Sequence, residues 1–333
     1  MKSAASAPFS VVYRAAPAGD LLDRPGTLAV FGFGMETPLE ADPRQFGVLQ
    51  TPLIPGAPSE CWSVDAEVSH GRDEDLRWSC GGGWQFIAIE VDETSRGGIE
   101  AACEHAYERL LAHVAGSPEN HLLRIWNYLD AINTGNGDAE RYRLFCNARA
   151  RCMAAHGVIR YPAATAIGHH GPRGRLQVYA LSATSAGVAL ENPRQVSAWE
   201  YPRQYGPTSP SFARAMQLPR GGLAISGTAA VIGHASRHAE DVAAQVDEAV
   251  ANLHALLERA ALPPFDATSP LKVYVRHPGD ADKVSTALAR HLDPSVPRLL
   301  LQGDICRSEL LVEIDGWRFT DAAQGNLAPT PPR

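Results

Sequence analysis

The sequence predicts an α+β fold made of two diverged copies of one unit. Apolar runs of strand length alternate with amphipathic runs of helical period. Their order (strand, long helix, strand, helix, strand pair) runs from about 84 to 181 and recurs from about 223 to 316. Matching elements lie roughly 135 to 147 residues apart. The composition is globular, 45% hydrophobic and 20% charged over 333 residues, which is chain enough for two domains. The expected division is an N-terminal domain over 1–186 and a C-terminal domain over 187–333, each carrying one copy.

Residues 1 to about 80 are rich in Gly and Pro, with short strand-like pieces such as Thr27 to Phe33. Phe31-Gly-Phe-Gly34 suggests a nucleotide loop, but no glycine-rich turn leads straight into a helix there. The first copy opens on a strand, Trp84 to Val91. A helix follows from Ile99 to Val114, with Ile99, Cys103, Ala106, Leu110 and Val114 on one face. Leu122 to Leu129 reads as a strand, Asn133 to Asp138 as a loop with Asp138 as candidate cap, and Ala139 to Ala155 as a helix. Strands near Ala163 to Ile167 and Arg175 to Leu181 close the copy.

Residues 187 to 220 break the pattern. The stretch Glu191 to Arg214 holds four prolines, little periodicity and too many aromatics for a solvated linker. Long irregular segments of this kind serve more often as binding loops than as tethers. The second copy then runs through a strand from Leu223, a helix from about Glu240 to Ala260 with Val242, Val246, Val250, Leu253 and Leu257 on its apolar face, a strand from Leu271 to Arg276, and a helix from Ala281 to His291.

The closing stretch, Val296 to Gly316, is the most informative. Arg298 to Leu301 and Leu310 to Ile314 read as strands joined by Asp304 to Ser308. Leu310-Leu-Val-Glu-Ile314 does not alternate, so it reads as buried on both faces. Glu313 is out of place there, because carboxylates are seldom buried unless paired. It either faces solvent on an edge strand, or pairs with Arg298 or Arg307 for structure, or is a carboxyl raised by desolvation and fit for general-acid work near neutral pH. If the copies superpose, Tyr179 falls opposite Glu313 and only the second copy carries the acid.

Several classes are set aside. The net charge is −7 and no Lys/Arg-rich tract stands out, which argues against a nucleic-acid partner. No apolar run approaches a membrane span, and Met1 to Ser6 opens no signal-like core, so a cytoplasmic location is expected. The six cysteines carry no CxxC pair and read as reduced thiols. His234 and His238 lie four apart without an evident third metal ligand.

Two resemblances add to this reading. Ser226-Gly-Thr, Gln245, Asn252-Leu, Leu271-Lys-Val-Tyr-Val, Pro297-Arg298 and Val312-Glu-Ile make the second copy resemble the YjgF/RidA family, whose members bind small carboxylates near an arginine and a strand-end glutamate. A closer resemblance spans nearly the whole chain. Arg124-Ile-Trp-Asn-Tyr, Glu140-Arg-Tyr-Arg, Pro162-Ala-Ala-Thr, Glu191-Asn-Pro-Arg-Gln-Val-Ser-Ala, Tyr205-Gly-Pro, Ser209-Pro-Ser-Phe-Ala-Arg, Ser226-Gly-Thr-Ala, Gly233-His and Asp304-Ile-Cys-Arg through Glu313 resemble the chorismatases, which split chorismate into pyruvate and a ring product. The fold this implies is two fused YjgF/RidA-like units, mixed sheets packed by helices.

The resemblance also implies a reaction. Family members that form hydroxybenzoate carry cysteine where Cys306 stands, whereas those that form a dihydrodiol tend to carry alanine. The expected products are therefore 3-hydroxybenzoate, with 4-hydroxybenzoate besides, and pyruvate. Hydroxybenzoates feed quinone (ubiquinone) and pigment synthesis. Atoms balance without oxidant or metal, and no cofactor is expected. Glu313 would protonate the enolpyruvyl methylene, and Cys306 would shape the pocket or steer the ring chemistry. Two substrate carboxylates call for guanidinium forks, and Arg143, Arg149, Arg214 and Arg307 are the candidates, with Arg298 behind them. Gln195 and Tyr205 would orient the substrate, and Ser226, Gly227 and Thr228 would offer donors and close approach. A site between two fused halves fits a monomer. The competing expectations are dihydrodiol formation on the same scaffold, an imine deaminase of the RidA type, and a non-catalytic small-carboxylate binding protein.

Overall fold

The computed structural model describes residues 8–38 and 41–320. Three sheets face one another around a shared core, with helices outside. The first copy supplies four neighbouring strands in the order Ala163–His169, His121–Asp130, Arg175–Ala183, Trp84–Asp92. The second supplies four in the order Arg298–Gln302, Leu271–Val275, Val312–Arg318, Leu223–Ala229. In each set the first pair is parallel and the others antiparallel. Glu313 stands across from Tyr274 and Ala229, and Tyr179 stands across from Trp126 and Ala88. The repeat is thus one topology used twice, with a tyrosine and a glutamate on corresponding strands.

Helices Ile99–Gly116 and Arg141–Ala155 pack against the first sheet through Leu110, Phe145, Met153 and their neighbours. Helices Val242–Arg259 and Ala281–Leu288 pack against the second through Val246, Leu253 and Val284. The inner faces of all three sheets meet in one aromatic cluster that includes Trp62, Trp84, Trp126, Tyr179, Tyr274 and Trp317. Residues on both sides of position 186 share this core.

The N-terminal region holds more structure than its Gly and Pro content suggests. Phe9–Arg14, Ser59–Val64, Thr27–Phe33 and Gln45–Val48 form a four-stranded sheet, the third wall of the core. Ser69–Asp73 and Leu76–Gly81 form a hairpin on one edge of the first sheet, and Asp304–Ile305, expected only as a connection, pairs with Ala163–His169 on the other edge, which brings that sheet to seven strands. Val188–Leu190 and Ala215–Gln217, at the two ends of the irregular segment, extend the second sheet to six.

Two local expectations are corrected. Asp138 caps no helix. The helix begins after Glu140 without a side-chain cap, and Asp138 instead accepts hydrogen bonds from Arg203 at 2.5 and 3.0 Å. Leu310 and Leu311 precede the last strand, which begins at Val312 and runs to Arg318 with all seven residues buried. That strand is internal to its sheet, so Glu313 is not on an edge. It is 5% exposed.

Candidate active site

A cavity of about 450 Å³ opens at the level of Glu313. Its walls come from the irregular segment (Gln195, Tyr201, Tyr205, Phe212, Arg214), one face of the helix Arg141–Ala155 (Tyr142, Arg143, Arg149), the strand Ala163–His169 (Ala164, Thr165, Ala166), the bulged strand at Gly227 and Ala229, and Cys306 to Leu310. Both repeat units therefore contribute.

Glu313 enters the cavity because its strand neighbour has no side chain at one position. The pairing of Leu223–Ala229 with Val312–Arg318 shifts register between Ile225 and Thr228, a β-bulge. A Cβ at Gly227 would fall 2.7 Å from the Glu313 Cδ and closer still to Oε1, so the carboxyl occupies space that only glycine leaves open. Burial pushes this carboxyl up to about 8. The Asp315 charge adds to the rise, and Arg124, Arg214 and Arg307 oppose it. Neither Arg298 nor Arg307 forms an ion pair with it among the described residues, so the acid form prevails at neutral pH.

Cys306 lines the same cavity, within electrostatic reach of this acid. Its thiol is pushed up to about 12 by burial, and the Glu313 charge adds to the rise. It is a neutral SH near neutral pH, unsuited to nucleophilic attack. Cys146, one turn into the helix, is likewise pushed up to about 12 by burial, and Tyr142 lies beside both thiols.

The arginines differ in how far they are already engaged. Arg149 is 3% exposed, and its Nε and Nη2 have no partner. Its guanidinium lies 5.7 Å from the Tyr107 ring centre. Unpaired buried donors cost about 1–3 kcal/mol each, which an incoming anion recovers. Arg214 donates to Val196 O at 2.8 Å and Tyr201 Oη at 2.6 Å, and its Nε is also unpaired. Arg307 stacks 3.9 Å from the Tyr205 ring centre and donates to His234 O at 2.8 Å. Arg143 is held by Glu140 at 3.0 Å and Gln204 O at 3.1 Å. Tyr205 and His234 are hydrogen-bond partners at 3.2 Å, and Gln195 donates to Val231 O at 3.1 Å.

Nine of the twelve residues singled out from sequence meet at this cavity: Glu313, Cys306, Arg143, Arg149, Gln195, Tyr205, Arg214, Gly227 and Arg307. Three do not line it. The Ser226 hydroxyl accepts from Ala164 N at 2.9 Å and donates to Ala213 O at 2.5 Å, tying the two sheets together. Thr228 donates to Ser226 O at 2.8 Å. Arg298 pairs with Leu271, three strand positions (about 10 Å) from the level of Glu313. Sequence reasoning passed over Tyr142, Tyr201 and Phe212, although the last two lie in the segment read as a binding loop. No cluster of three or more potential metal ligands occurs among the described residues.

Comparison with known proteins fixes the family. The chorismatase FkbO/Hyg5-like N-terminal family matches residues 60–182. A 3-hydroxybenzoate synthase from Streptomyces hygroscopicus is 34% identical over 277 residues, 78% of this chain and 80% of its own. The chain belongs to the chorismatase family. A chorismatase from Streptomyces rapamycinicus is 35% identical over 278 residues, covering 78% of this chain and 81% of its own. A crystal structure of a chorismatase superposes with a TM-score of 0.84 at 31% identity, over 95% of this chain and 99% of its own. The chorismatase fold thus accounts for nearly the whole molecule, the N-terminal four-stranded sheet included.

Proposed function

We propose that the chain converts chorismate to pyruvate and 3-hydroxybenzoate, with 4-hydroxybenzoate as a further product. The observation that carries this reading is Glu313, a carboxyl pushed up to about 8 beside a cavity whose arginines still hold unpaired donors. A carboxyl of that kind carries a proton at neutral pH and can give it to a weakly basic carbon.

Chorismate brings two carboxylates, for which Arg149 and Arg214 have free donors and Arg307 and Arg143 add positive charge. Glu313 protonates the enolpyruvyl methylene, and the ether oxygen then shares an oxocarbenium charge that the new carboxylate stabilises. The neighbouring ring hydroxyl attacks the ether-bearing ring carbon as that C–O bond breaks. Pyruvate leaves as the keto acid, and the hydroxyl proton returns to the carboxylate. The epoxide-like ring product opens and loses a ring C–H proton, which restores aromaticity. Nothing is oxidised by an outside agent and no atom is added. The neutral Cys306 thiol is proposed to fill the wall beside the reacting ring, where water would otherwise divert the cation to a dihydrodiol.

The test is incubation of the purified protein with chorismate alone, with products resolved by chromatography. Pyruvate with 3- or 4-hydroxybenzoate is the expected result. Pyruvate with dihydrodiol would overturn the role of Cys306 and keep that of Glu313. No pyruvate above the spontaneous rate, with chorismate still bound, would leave a carboxylate-binding protein in its place.

A further inference from the structure

Glu313 has a second carboxylate behind it. Asp315 lies two residues on, so both side chains leave the same face of Val312–Arg318. Asp315 is fully buried. Its Oδ2 accepts from Thr165 Oγ1 at 2.7 Å, Trp126 Nε1 at 2.9 Å, Tyr274 Oη at 3.0 Å and Arg124 Nη2 at 3.3 Å. Four donors on one oxygen, one of them a guanidinium, fix this side chain in place as an acceptor. Its Oδ1 makes no hydrogen bond and lies 3.9 Å from Lys272 Nζ, which sits 3.1 Å from Glu60. Two acids and two bases thus form a dry quartet between the sheets, and its acid nearest the site on the Glu313 strand is Asp315.

The groups facing Glu313 can be named element by element. Asp315 is on its own strand, Tyr274 and Lys272 on one neighbour, and Arg124 across the core. Arg214, Cys306 and Arg307 come from the flanking segments, and the bulged neighbour Leu223–Ala229 brings no charge. Glu140 and Glu309 also line the cavity but are engaged, by Arg143 and Ser236. Among these charges Asp315 raises the Glu313 carboxyl most.

We infer that Asp315 is a positioning residue for the reaction: its fixed negative charge holds Glu313 in the protonated form, and Arg124 counters it so that the proton can still be given up. This rests on Glu313 being the acid. The physical reason is that two carboxylates sharing a dry site cannot both ionise cheaply, and Asp315 is the one that four donors, the Arg124 guanidinium among them, already hold.

The test is the pH profile of pyruvate release from chorismate for the wild type, Glu313→Gln, Asp315→Asn and Tyr274→Phe, each first checked for folding by circular dichroism. The wild-type rate falls on an alkaline limb as Glu313 loses its proton. Removing the Asp315 charge lets Glu313 ionise sooner, so Asp315→Asn moves that limb down by about one pH unit or more, with the rate at acid pH kept within about tenfold. Tyr274→Phe, the milder change, removes one neutral donor and keeps every charge. It leaves Asp315 less neutralised and moves the limb up by about half a unit. Whichever variant folds decides, and a limb that stays in place, even with a lower rate throughout, overturns the inference. If Glu313→Gln keeps the wild-type limb, the failure lies instead in the reading of Glu313 as the acid.

Discussion

Glu313 owes its chemistry to its own apolar run and to one neighbour, Gly227, which sequence reading weighed unequally. The carboxylate in an apolar run was legible, because Leu310-Leu-Val-Glu-Ile314 has no alternation to carry an acid to solvent. The role of Gly227 in making room for the carboxyl depends on a bulge that no local pattern announces. Gly227→Ala is expected to fold with a loss of about 1–3 kcal/mol, since its Cβ meets the buried carboxyl end of Glu313 rather than backbone. It should lower the rate of pyruvate release by forcing that end aside. The raised carboxyl also has a stability consequence. Its pKa is near 8 folded and near the ordinary glutamate value unfolded, so the folded state holds the proton longer. That contribution is full below about pH 4.5 and is lost as pH rises through about 8. Urea unfolding of the wild type and Glu313→Gln should show the wild type losing roughly 3–5 kcal/mol relative to the variant across that window. Parallel curves would contradict the burial argument.

At the scale of elements, the helices and the strands of the two copies were legible to within a few residues. Their periodicities are clean and their apolar faces wide. The N-terminal sheet was not, because Gln45–Val48 is short and its partners are separated by Gly- and Pro-rich turns. The loop over the site was recognised by composition, but Tyr201 and Phe212 were not singled out, since a ring set against the Arg214 guanidinium leaves no periodic signature in an irregular segment. That loop is clasped to the first copy by Arg203 on Asp138 and by Gln204 O on Arg143. Exposed pairs of this kind contribute about 0–1 kcal/mol to stability. Arg203→Ala should therefore leave the melting temperature within a few degrees while raising the KM for chorismate several-fold. An unchanged KM would show that the loop needs no clasp.

The molecule as a whole is one core walled by three sheets, and its fully buried ion pairs, among the described residues, lie where the sheets meet. Lys272, on the second copy, pairs with Glu60 on the N-terminal sheet at 3.1 Å, with both side chains 1% exposed. Lys272→Met strands a buried carboxylate and is expected to cost about 3–5 kcal/mol in denaturant unfolding. The double change with Glu60→Gln should recover much of that loss. The repeat was readable from element order, but this cross-sheet pairing was not, because the two residues lie far apart in the chain. The central claim is that one buried acid drives the reaction, and its most direct test compares chorismate turnover by the wild type and Glu313→Gln at neutral pH, with chorismate affinity measured alongside. The account predicts a fall in rate of about a hundredfold to ten-thousandfold with affinity largely retained. A variant that keeps its rate within tenfold would contradict it.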